Sequence, residues 1–488
     1  MIRFSTIILL SLTLWLTGCA GVNTWSSSDT NATKQAKIQA TKNKRAVAKA
    51  RAANLNTQDF SKIQDPSNDL WQRVRDGFEI QDPQENALII KHVNQLASNP
   101  VYVNRLLQRS SYYLFYIEEE VEARDMPSEL ALLPFVESAF NPKAVSPAKA
   151  AGMWQFMPAT GKDYKLTQNA FRDERRDIIH STRAALDYLQ RLYGMFGDWS
   201  LALAAYNWGE GSVSRAIKRN QMAGLPTDYY SLQMPNETRN YVPKLLAYKR
   251  IIESPKSYGF TLPPVEDHPY FLAVSTPSDI DVELVIQMAD ISPEQFISLN
   301  PSFTKPVILK AANPQILLPF GKAEIFQDNM KKHKGPLSSW TAIVVDRTDS
   351  VDKVAANLNV DPNQLRDLNG IPKGMRIRAG STVIVPKSSL SSGDVPSHLA
   401  DGGMLNLERE YTPAVLKCRG SKCVSVNVKN VNSANTPPIN SQHSGAPSAG
   451  KSNAQGQLTP QKGGKSPKTE GKSAGKSNPT QVKKTPGK

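Results

Sequence analysis

Cysteine and histidine are scarce in this chain of 488 residues, which contains three cysteines and six histidines. Metal centres built from these side chains need several of them at short, regular spacing. Cys418 and Cys423 stand close together, but two cysteines alone do not make a zinc site, so we expect no metal. If the protein is exported, the same pair is a candidate for a disulfide that closes a small loop.

Long apolar runs are missing too. Residues 7–16 are apolar and follow the positive Arg3, but the run is too short to span a bilayer. The run predicts a signal peptide over residues 1–19, and the small residues before Cys19 resemble a lipobox, whose cysteine is diacylated. Acyl chains on Cys19 would anchor the protein to a membrane, and Ala20 in place of aspartate implies the outer membrane facing the periplasm. An ordinary secretory signal with a chance cysteine is the alternative.

Acidic residues are few at both ends of the chain. Residues 20–58 form a basic spacer, and residues 431–488 form a tail rich in Lys, Ser, Pro and Gly that we expect to be disordered. With Arg3, these two segments account for the whole net charge of +15, so the central part is near neutral. This distribution argues against a nucleic-acid-binding fold and favours loose contact with acidic wall polymer or lipid head groups.

The most informative stretch in the chain is residues 137–158. Residues 126–136 before it are almost wholly apolar, which predicts a buried helix with Glu137 at its end. A carboxyl group against apolar walls has a raised pKa, as a general acid requires, and Ser138 is placed to orient it. The residues Gly152, Met153, Trp154 and Gln155 follow, and an aromatic face beside an amide suits a sugar ring.

Each of these features has a simpler explanation when taken alone. Most glutamates at helix ends are solvated, and a Gly-Met-Trp-Gln segment is more often core packing than a site. A glycosidase also uses two carboxylates as a rule. Asp163, Asp173 and Glu174 are candidates by position, but they lie in polar stretches, and we expect them to face solvent.

Two later motifs change this balance: Ala205-Tyr206-Asn207 and, within Glu-Thr-Arg-Asn-Tyr, Tyr241. Together with Glu137-Ser138 and the Gly152 segment, they resemble, in the same order, the catalytic domain of the soluble-type lytic murein transglycosylases. Met153 stands where leucine is usual, which is a volume-conserving exchange.

The resemblance implies a mainly α chain with a goose-type lysozyme-like catalytic domain over residues 59–253. It implies that Glu137 protonates the bond between N-acetylmuramic acid and N-acetylglucosamine, and that the sugar's own C6 hydroxyl then attacks, giving a 1,6-anhydro end without water or cofactor. The implied partner is the peptidoglycan glycan strand. The resemblance also implies the residues that contact or position the sugar and the acid: Ser138, Met153, Trp154, Gln155, Tyr206, Asn207 and Tyr241.

Two small units with the strand–helix–helix–strand order follow this domain. Residues 341–386 resemble a LysM module, a small glycan-binding fold, and residues 270–319 resemble a degenerate copy of it. Residues 254–269 are predicted to be a proline-rich linker, and residues 387–430 have no defined pattern apart from the two cysteines. We expect removal of residues 341–488 to weaken wall binding and to leave cleavage of short soluble glycans nearly unchanged.

Two other functions fit parts of the same pattern. A lysozyme-type muramidase would use water in place of the C6 hydroxyl on the same fold. A non-catalytic wall-binding lipoprotein would rely on the LysM-like units alone, although all the motif residues of the catalytic domain are retained.

Overall fold

The computed structural model describes residues 69–387 and 393–410, together with the backbone of two later strands, 415–419 and 422–426. The predicted signal segment with Cys19, the basic spacer and the lysine-rich tail lie outside the described residues. The chain divides into two compact units, and the boundary falls between Tyr411 and Thr412. In the described part, no helix is both long and apolar enough to cross a membrane.

Four helices open the described chain, as the apolar spacing over residues 69–122 predicts. They are α1 Leu70–Asp76, α2 Ala87–Ala97, α3 Pro100–Ser110 and α4 Leu114–Glu122. The side chains of Asp69, Asn86 and Asn99 cap the first three by accepting backbone N–H groups. These helices pack around the segment that carries Glu137.

Seven further helices build the catalytic lobe: α5 Leu133–Ser138, α6 Pro158–Asp163, α7 Ile178–Phe196, α8 Trp199–Trp208, α9 Glu210–Met222, α10 Asn236–Arg239 and α11 Tyr241–Glu253. The single helix predicted over 126–136 is a 3₁₀ turn, Ser128–Leu132, followed by α5. Helix α5 ends at Ser138, because the next residue, Ala139, adopts a left-handed conformation with φ 57°. Glu137 therefore lies in the last turn of a short helix.

The first LysM-like unit contains four strands and three helices: β1 Phe271–Val274, β2 Ile280–Asp281, α12 Val282–Ala289, α13 Pro293–Leu299, β3 Val307–Ile308, β4 Ile316–Pro319 and α14 Phe320–Lys332. Strands β1 and β4 pair antiparallel, with Phe271 opposite Pro319, so the predicted strand–helix–helix–strand order is confirmed. The unit extends past residue 319, because α14 packs against β1 and α12 and buries Phe326.

The second unit has the same order: β5 Trp340–Val344, β6 Asp349–Ser350, α15 Val351–Asn357, α16 Pro362–Asn369, β7 Met375–Ile377 and β8 Thr382–Pro386. Strands β5 and β8 pair antiparallel. Residues 387–430, which have no pattern in sequence, include a helix, α17 Ser397–Gly402, and a strand, β9 Leu407–Arg409, which pairs with β7. That expectation is therefore corrected for residues 397–409.

Strands β10 Val415–Arg419 and β11 Lys422–Val426 belong to the second compact unit. They form an antiparallel hairpin in which Cys418 lies directly opposite Cys423. This register is consistent with the expected disulfide, which remains a prediction.

The proline-rich segment 254–269 is attached to α1 and is not a free linker. The indole nitrogen of Trp71 donates to the carbonyl of Pro263 at 2.8 Å, and Arg73 forms an ion pair with Asp267 at 2.6 Å. The segment therefore fixes the first LysM-like unit against the helical lobe.

The two LysM-like units are also packed against the catalytic lobe. Phe171 of the catalytic lobe lies in one apolar cluster with Val307 of the first unit and with Ala342 and Ile384 of the second. The backbone N–H of Asp173 donates to the carbonyl of Ser302 at 2.9 Å. The division into separable domains expected from sequence is therefore corrected, because these three parts share buried surface.

Candidate active site

Glu137 lies in the last turn of α5, where Leu133, Pro134 and Phe135 are buried. Its carboxyl group accepts a hydrogen bond from the phenol of Tyr241 and is itself half-buried. Loss of water around the carboxylate raises the pKa of Glu137 to about 7, and the hydrogen bond from Tyr241 opposes this shift. Close to neutral pH the group is thus ready both to donate and to accept a proton.

Two charged side chains act on Glu137 from a greater distance. The negative charge of the exposed Glu237 raises the pKa of Glu137 further, while the positive charge of Lys244 lowers it. Because these two effects have opposite signs, desolvation remains the largest influence on the pKa of Glu137.

Tyr241 begins α11 and is 3% exposed. Burial, followed by the nearby charge of Glu137, holds the pKa of Tyr241 well above its usual range. The phenol therefore stays protonated and donates to Glu137 at any pH at which the protein works. The backbone N–H of the next residue, Val242, donates to the hydroxyl of Tyr229 at 3.2 Å, which fixes the start of α11.

The sequence predicts that Ser138 orients the carboxyl group of Glu137, but its hydroxyl makes no hydrogen bond to that group. Its hydroxyl donates to the carbonyl of Met153 at 2.9 Å and accepts the N–H of Asn141 at 3.1 Å. It connects α5 to the loop that contains Gly152, and its effect on Glu137 is indirect.

Gly152 allows a close approach of two backbone segments. Gly152 has φ 84°, and a Cβ there would lie 1.8 Å from the carbonyl oxygen of Arg175. The close approach is therefore to the protein's own backbone. Arg175 also donates to the carbonyls of Lys149 at 2.7 Å and Phe156 at 3.2 Å, so it holds both ends of this loop.

Met153 and Trp154 are completely buried, with 0% exposure each. The indole nitrogen of Trp154 donates to the hydroxyl of Thr182 on α7 at 3.0 Å. The ring cannot offer a face to a sugar in this conformation, so the aromatic platform predicted here is wrong. Both side chains instead pack the loop into the core.

Gln155 is the side chain of this motif that is partly exposed to solvent. It is half-buried, has φ 51°, and its amide nitrogen donates to the carbonyl of Gly152 at 2.8 Å. This bond turns the amide group against its own loop. Its amide oxygen has no protein donor among the described residues.

Tyr206 and Asn207 lie in the last turn of α8, and Gly209 ends the helix. The hydroxyl of Tyr206 donates to the carbonyl of Trp154 at 2.9 Å. The side-chain oxygen of Asn207 accepts from Thr238 at 2.8 Å, and its amide nitrogen has no protein acceptor within the described chain. Glu137 influences the pKa of both Tyr206 and Tyr241, so the four sequence motifs converge on one site.

Of the three other carboxylates that the sequence suggested, Asp173 and Glu174 form ion pairs with arginines and Asp163 is exposed. Glu174 is buried, forms an ion pair with Arg172 at 3.1 Å and accepts the N–H of Thr167 at 2.7 Å, and Asp173 pairs with Arg175 at 2.7 Å. The expectation that these two face solvent is wrong, because oppositely charged neighbours within the same short segment neutralise them. Asp163 is exposed as expected.

Sequence reasoning missed Arg175 and Lys244. Arg175 lies in a mixed run of acidic and basic residues, 172–177, and such a run is as typical of a solvated surface as of an internal ion-pair network. Within the described residues, no group of three or more His, Cys, Asp or Glu side chains is arranged to hold a metal ion.

Comparison with known families gives two matches in the order found here. Residues 115–225 match the transglycosylase SLT domain, which spans the motifs from Glu137 to Asn207. Residues 270–335 match the LysM-like domain of lytic transglycosylase MltD, in agreement with the extension of this unit past residue 319.

Individual proteins agree with these families. Membrane-bound lytic murein transglycosylase D of Escherichia coli K12 is 36% identical over 338 residues, which is 66% of this chain and 74% of the relative. The soluble lytic murein transglycosylase of the same strain is 32% identical over 26% of this chain and 20% of its own length. The crystal structure of the 70 kDa soluble lytic transglycosylase from E. coli matches 36% of this chain and 38% of that one, with 20% identity and a TM-score of 0.24.

The matches confirm a transglycosylase SLT domain and a LysM-like unit, and the described chain is mainly helical, as expected. Both come from the same kind of enzyme, and the extended similarity covers about two-thirds of the chain. The chain belongs to the lytic murein transglycosylase family.

Proposed function

We propose that this protein cleaves the β-1,4 bond between N-acetylmuramic acid and N-acetylglucosamine in peptidoglycan without water, and that it leaves 1,6-anhydro ends. The observation that carries the proposal is the half-buried Glu137, whose pKa is raised to about 7 and whose carboxyl group is held by Tyr241. One acid near neutrality is enough when the substrate supplies its own nucleophile. The reaction serves remodelling and turnover of the cell wall.

Glu137 acts first as an acid and then as a base. Protonated Glu137 donates its proton to the glycosidic oxygen, and the bond between that oxygen and C1 of the muramic sugar breaks. The carbonyl of the muramic N-acetyl group stabilises the positive charge that develops at C1. The Glu137 carboxylate then takes the proton from the C6 hydroxyl as O6 bonds to C1, which returns the acid to its starting form.

Tyr241 supports both halves of this cycle. Its hydroxyl holds Oε1 of Glu137, while Oε2 has no hydrogen-bond partner among the described residues. Oε2 is therefore the oxygen that faces the substrate. Because the phenol donates to the carboxylate form, it limits how far burial raises the pKa of Glu137 and prevents the anion from becoming too unstable.

Sugar binding rests on two side-chain amides. The amide oxygen of Gln155 and the amide nitrogen of Asn207 are both without protein partners in the described part of the chain. An N-acetylated sugar presents N–H and C=O groups that pair with such an acceptor and donor. Ser138, Met153, Trp154 and Tyr206 position these groups through the loop and the end of α8.

Hydrolysis is the second candidate, and Glu237 is the observation that favours it. This exposed carboxylate lies close enough to Glu137 to raise its pKa, and it could activate a water molecule. Digestion of purified sacculi in water enriched in ¹⁸O separates the two reactions. We expect products that are one water lighter than hydrolysis products and that carry no ¹⁸O.

Labelled reducing ends would instead establish a muramidase, and their loss in Glu237→Gln would assign that residue as the base. Wall binding without any soluble product would establish the non-catalytic lipoprotein. The two LysM-like units, 270–335 and 341–386, are proposed to hold the enzyme on the glycan.

The proposed location is the periplasmic face of the outer membrane. Support comes from the lipobox-like residues before Cys19, from Ala20, and from a relative that is described as membrane-bound. Cys19→Ala should move the correctly exported protein from the membrane fraction to the soluble fraction. Continued sedimentation with outer membrane would exclude the lipid anchor.

A further inference from the structure

A cavity of about 350 Å³ opens beside the acid, between helices α2, α3, α5 and α11. Its apolar wall includes Phe135 and Tyr248, whose rings stack with centroids 4.8 Å apart. Its polar wall includes His92, Asn99 and Lys244. The residues assigned above to acid catalysis and sugar binding do not line it, so it is additional to that site.

The cavity reaches the segment that carries Glu137. Val136, the residue before the acid, lies in its wall. Lys244 stands three residues after Tyr241 on α11, which places both on one face of that helix. The positive charge of Lys244 reaches Glu137 and lowers its pKa. A polymer with its scissile bond at Glu137 would therefore pass this cavity with its neighbouring residue.

Lys244 is a half-buried cation that makes no salt bridge with any acidic side chain of the described chain. His92 is engaged differently, since its Nε2 lies 2.8 Å from the side-chain oxygen of Asn240. A neutral N-acetylated glycan does not need an unpaired ammonium group. Peptidoglycan also contains a peptide, which is attached to the lactyl group of muramic acid. This peptide carries carboxylates, and a carboxylate pairs with an ammonium group.

The apolar wall fits the same ligand. Leu96, Phe135 and Tyr248 line one side of the cavity, and this apolar lining suits the aliphatic parts of a short peptide. Tyr102, which is 41% exposed, stands near Tyr248 and shares a hydrogen bond with it. The cavity thus combines one cation, amide and imidazole groups and an apolar side, as expected for an anionic peptide.

We propose that this cavity binds the stem peptide of a muramic acid residue, with Lys244 pairing with a peptide carboxylate. The inference rests on the proposed function, because it assumes that peptidoglycan occupies the cleft. It makes the enzyme sensitive to whether the strand carries peptides or has been stripped of them. Lys244 would then determine specificity and take no part in proton transfer.

A binding experiment tests the proposal without relying on turnover. In the Glu137→Gln background, calorimetric titration compares a muropeptide with a chitooligosaccharide of the same length, an N-acetylated glycan that carries no carboxylate. We expect the added exchange Lys244→Met to weaken muropeptide binding at least about tenfold, as loss of one charge-assisted hydrogen bond predicts, and to change glycan binding much less. Lys244→Arg should restore most of the affinity, and Lys218→Met, at an exposed lysine on α9, is the matched control.

Equal weakening for both ligands would overturn the proposal, because Lys244 would then contact the sugar. No weakening for either would overturn it as well. Turnover by the otherwise unchanged chain reports separately on the proposed function. If that chain makes no anhydro products from purified sacculi while muropeptide binding still depends on Lys244, the reaction assignment fails and the peptide site stands.

Discussion

The hydroxyl of Tyr241 donates a hydrogen bond to Oε1 of Glu137 across 104 residues of sequence. The acid comes from the end of the six-residue helix α5, and the phenol comes from the first residue of α11. Helices α5 and α11 pack directly against each other, so the pair is fixed by the core and not by a mobile loop. This contact determines how strongly the carboxyl group holds its proton.

Glu137→Gln should lower wall-lytic turnover by at least about 100-fold, because the amide retains the volume and cannot transfer a proton. Release of anhydro-muropeptides from sacculi measures turnover, and circular dichroism shows whether the fold is retained. Residual activity within tenfold of the parent, in a folded variant, would exclude Glu137 as the acid. Glu85→Gln is the matched control at an exposed glutamate outside the site, and it should retain most activity.

The pH profile should have an alkaline limb near pH 7. The general acid must be protonated, and the pKa of Glu137 is raised to about 7, so kcat/KM should fall as pH rises through that value. Tyr241→Phe removes a hydrogen bond that favours the carboxylate, so the limb should move to higher pH while the maximum rate falls. A limb that stays in place or moves down in this variant would contradict the role given to the contact.

Gly152→Ala should destabilise the protein by several kcal/mol, on the order of 3 kcal/mol or more, through positive φ and a clash with the backbone of Arg175. Thermal unfolding measures the loss. Gly194→Ala, on α7 with no atom within 4 Å of the added carbon, is the matched control and should have little effect. Equal unfolding temperatures for the two variants would show that the Gly152 loop relaxes freely.

Glu118→Gln should stabilise the protein at neutral pH. Burial raises the pKa of Glu118 to about 8, while Ser128 donates a hydrogen bond to it. Between the unfolded pKa, about 4.5, and the folded value, the folded state binds more protons than the unfolded state, so stability falls as pH rises through this window. The neutral amide removes that dependence and should add on the order of 1–3 kcal/mol at pH 7.

Urea unfolding at pH 5, 7 and 8 tests this expectation. The difference between the parent and Glu118→Gln should widen with pH. A constant difference would mean that Glu118 is ionised in the folded protein. Glu79→Gln, at an exposed glutamate, should follow the parent at every pH.

Removal of residues 341–488 should destabilise the catalytic lobe as well as weaken wall binding. Ala342, Ile384 and Val395 bury Phe171 and Val307, and their removal exposes this cluster at a cost of at least about 3 kcal/mol. Truncation after Tyr411 removes only the second compact unit and should leave the melting temperature within a few degrees of the parent. Equal melting temperatures for the two forms would show that the lobe folds independently.

Local patterns were enough to predict several parts of this protein. The apolar stretch before Glu137 predicted a carboxyl group with a raised pKa. The order of strands and helices in both LysM-like units was also readable. These features depend on neighbours in sequence, where spacing and turn residues directly determine which groups are buried.

The identity of the buried partner could not be read in the same way. Trp154 looked like a sugar platform, but its indole bonds to Thr182 inside the core. Glu174 and Asp173 looked solvated, but Arg172 and Arg175 neutralise them. A residue type indicates what a side chain can do, whereas its exposure depends on which distant segment packs over it.

The sequence by itself determined Glu137 as the candidate acid, the order of the four motifs and the alternation of helical lobe and LysM-like units, because each depends on residue chemistry or short-range spacing. Only the tertiary structure decided that Ser138 bonds to the carbonyl of Met153 and that Tyr241 bonds to Glu137. It also decided that Gly152 lies against the backbone of Arg175 and that the LysM-like units share a core with the catalytic lobe. These are contacts between segments far apart in the chain, and they form only when apolar faces from all of them are buried together.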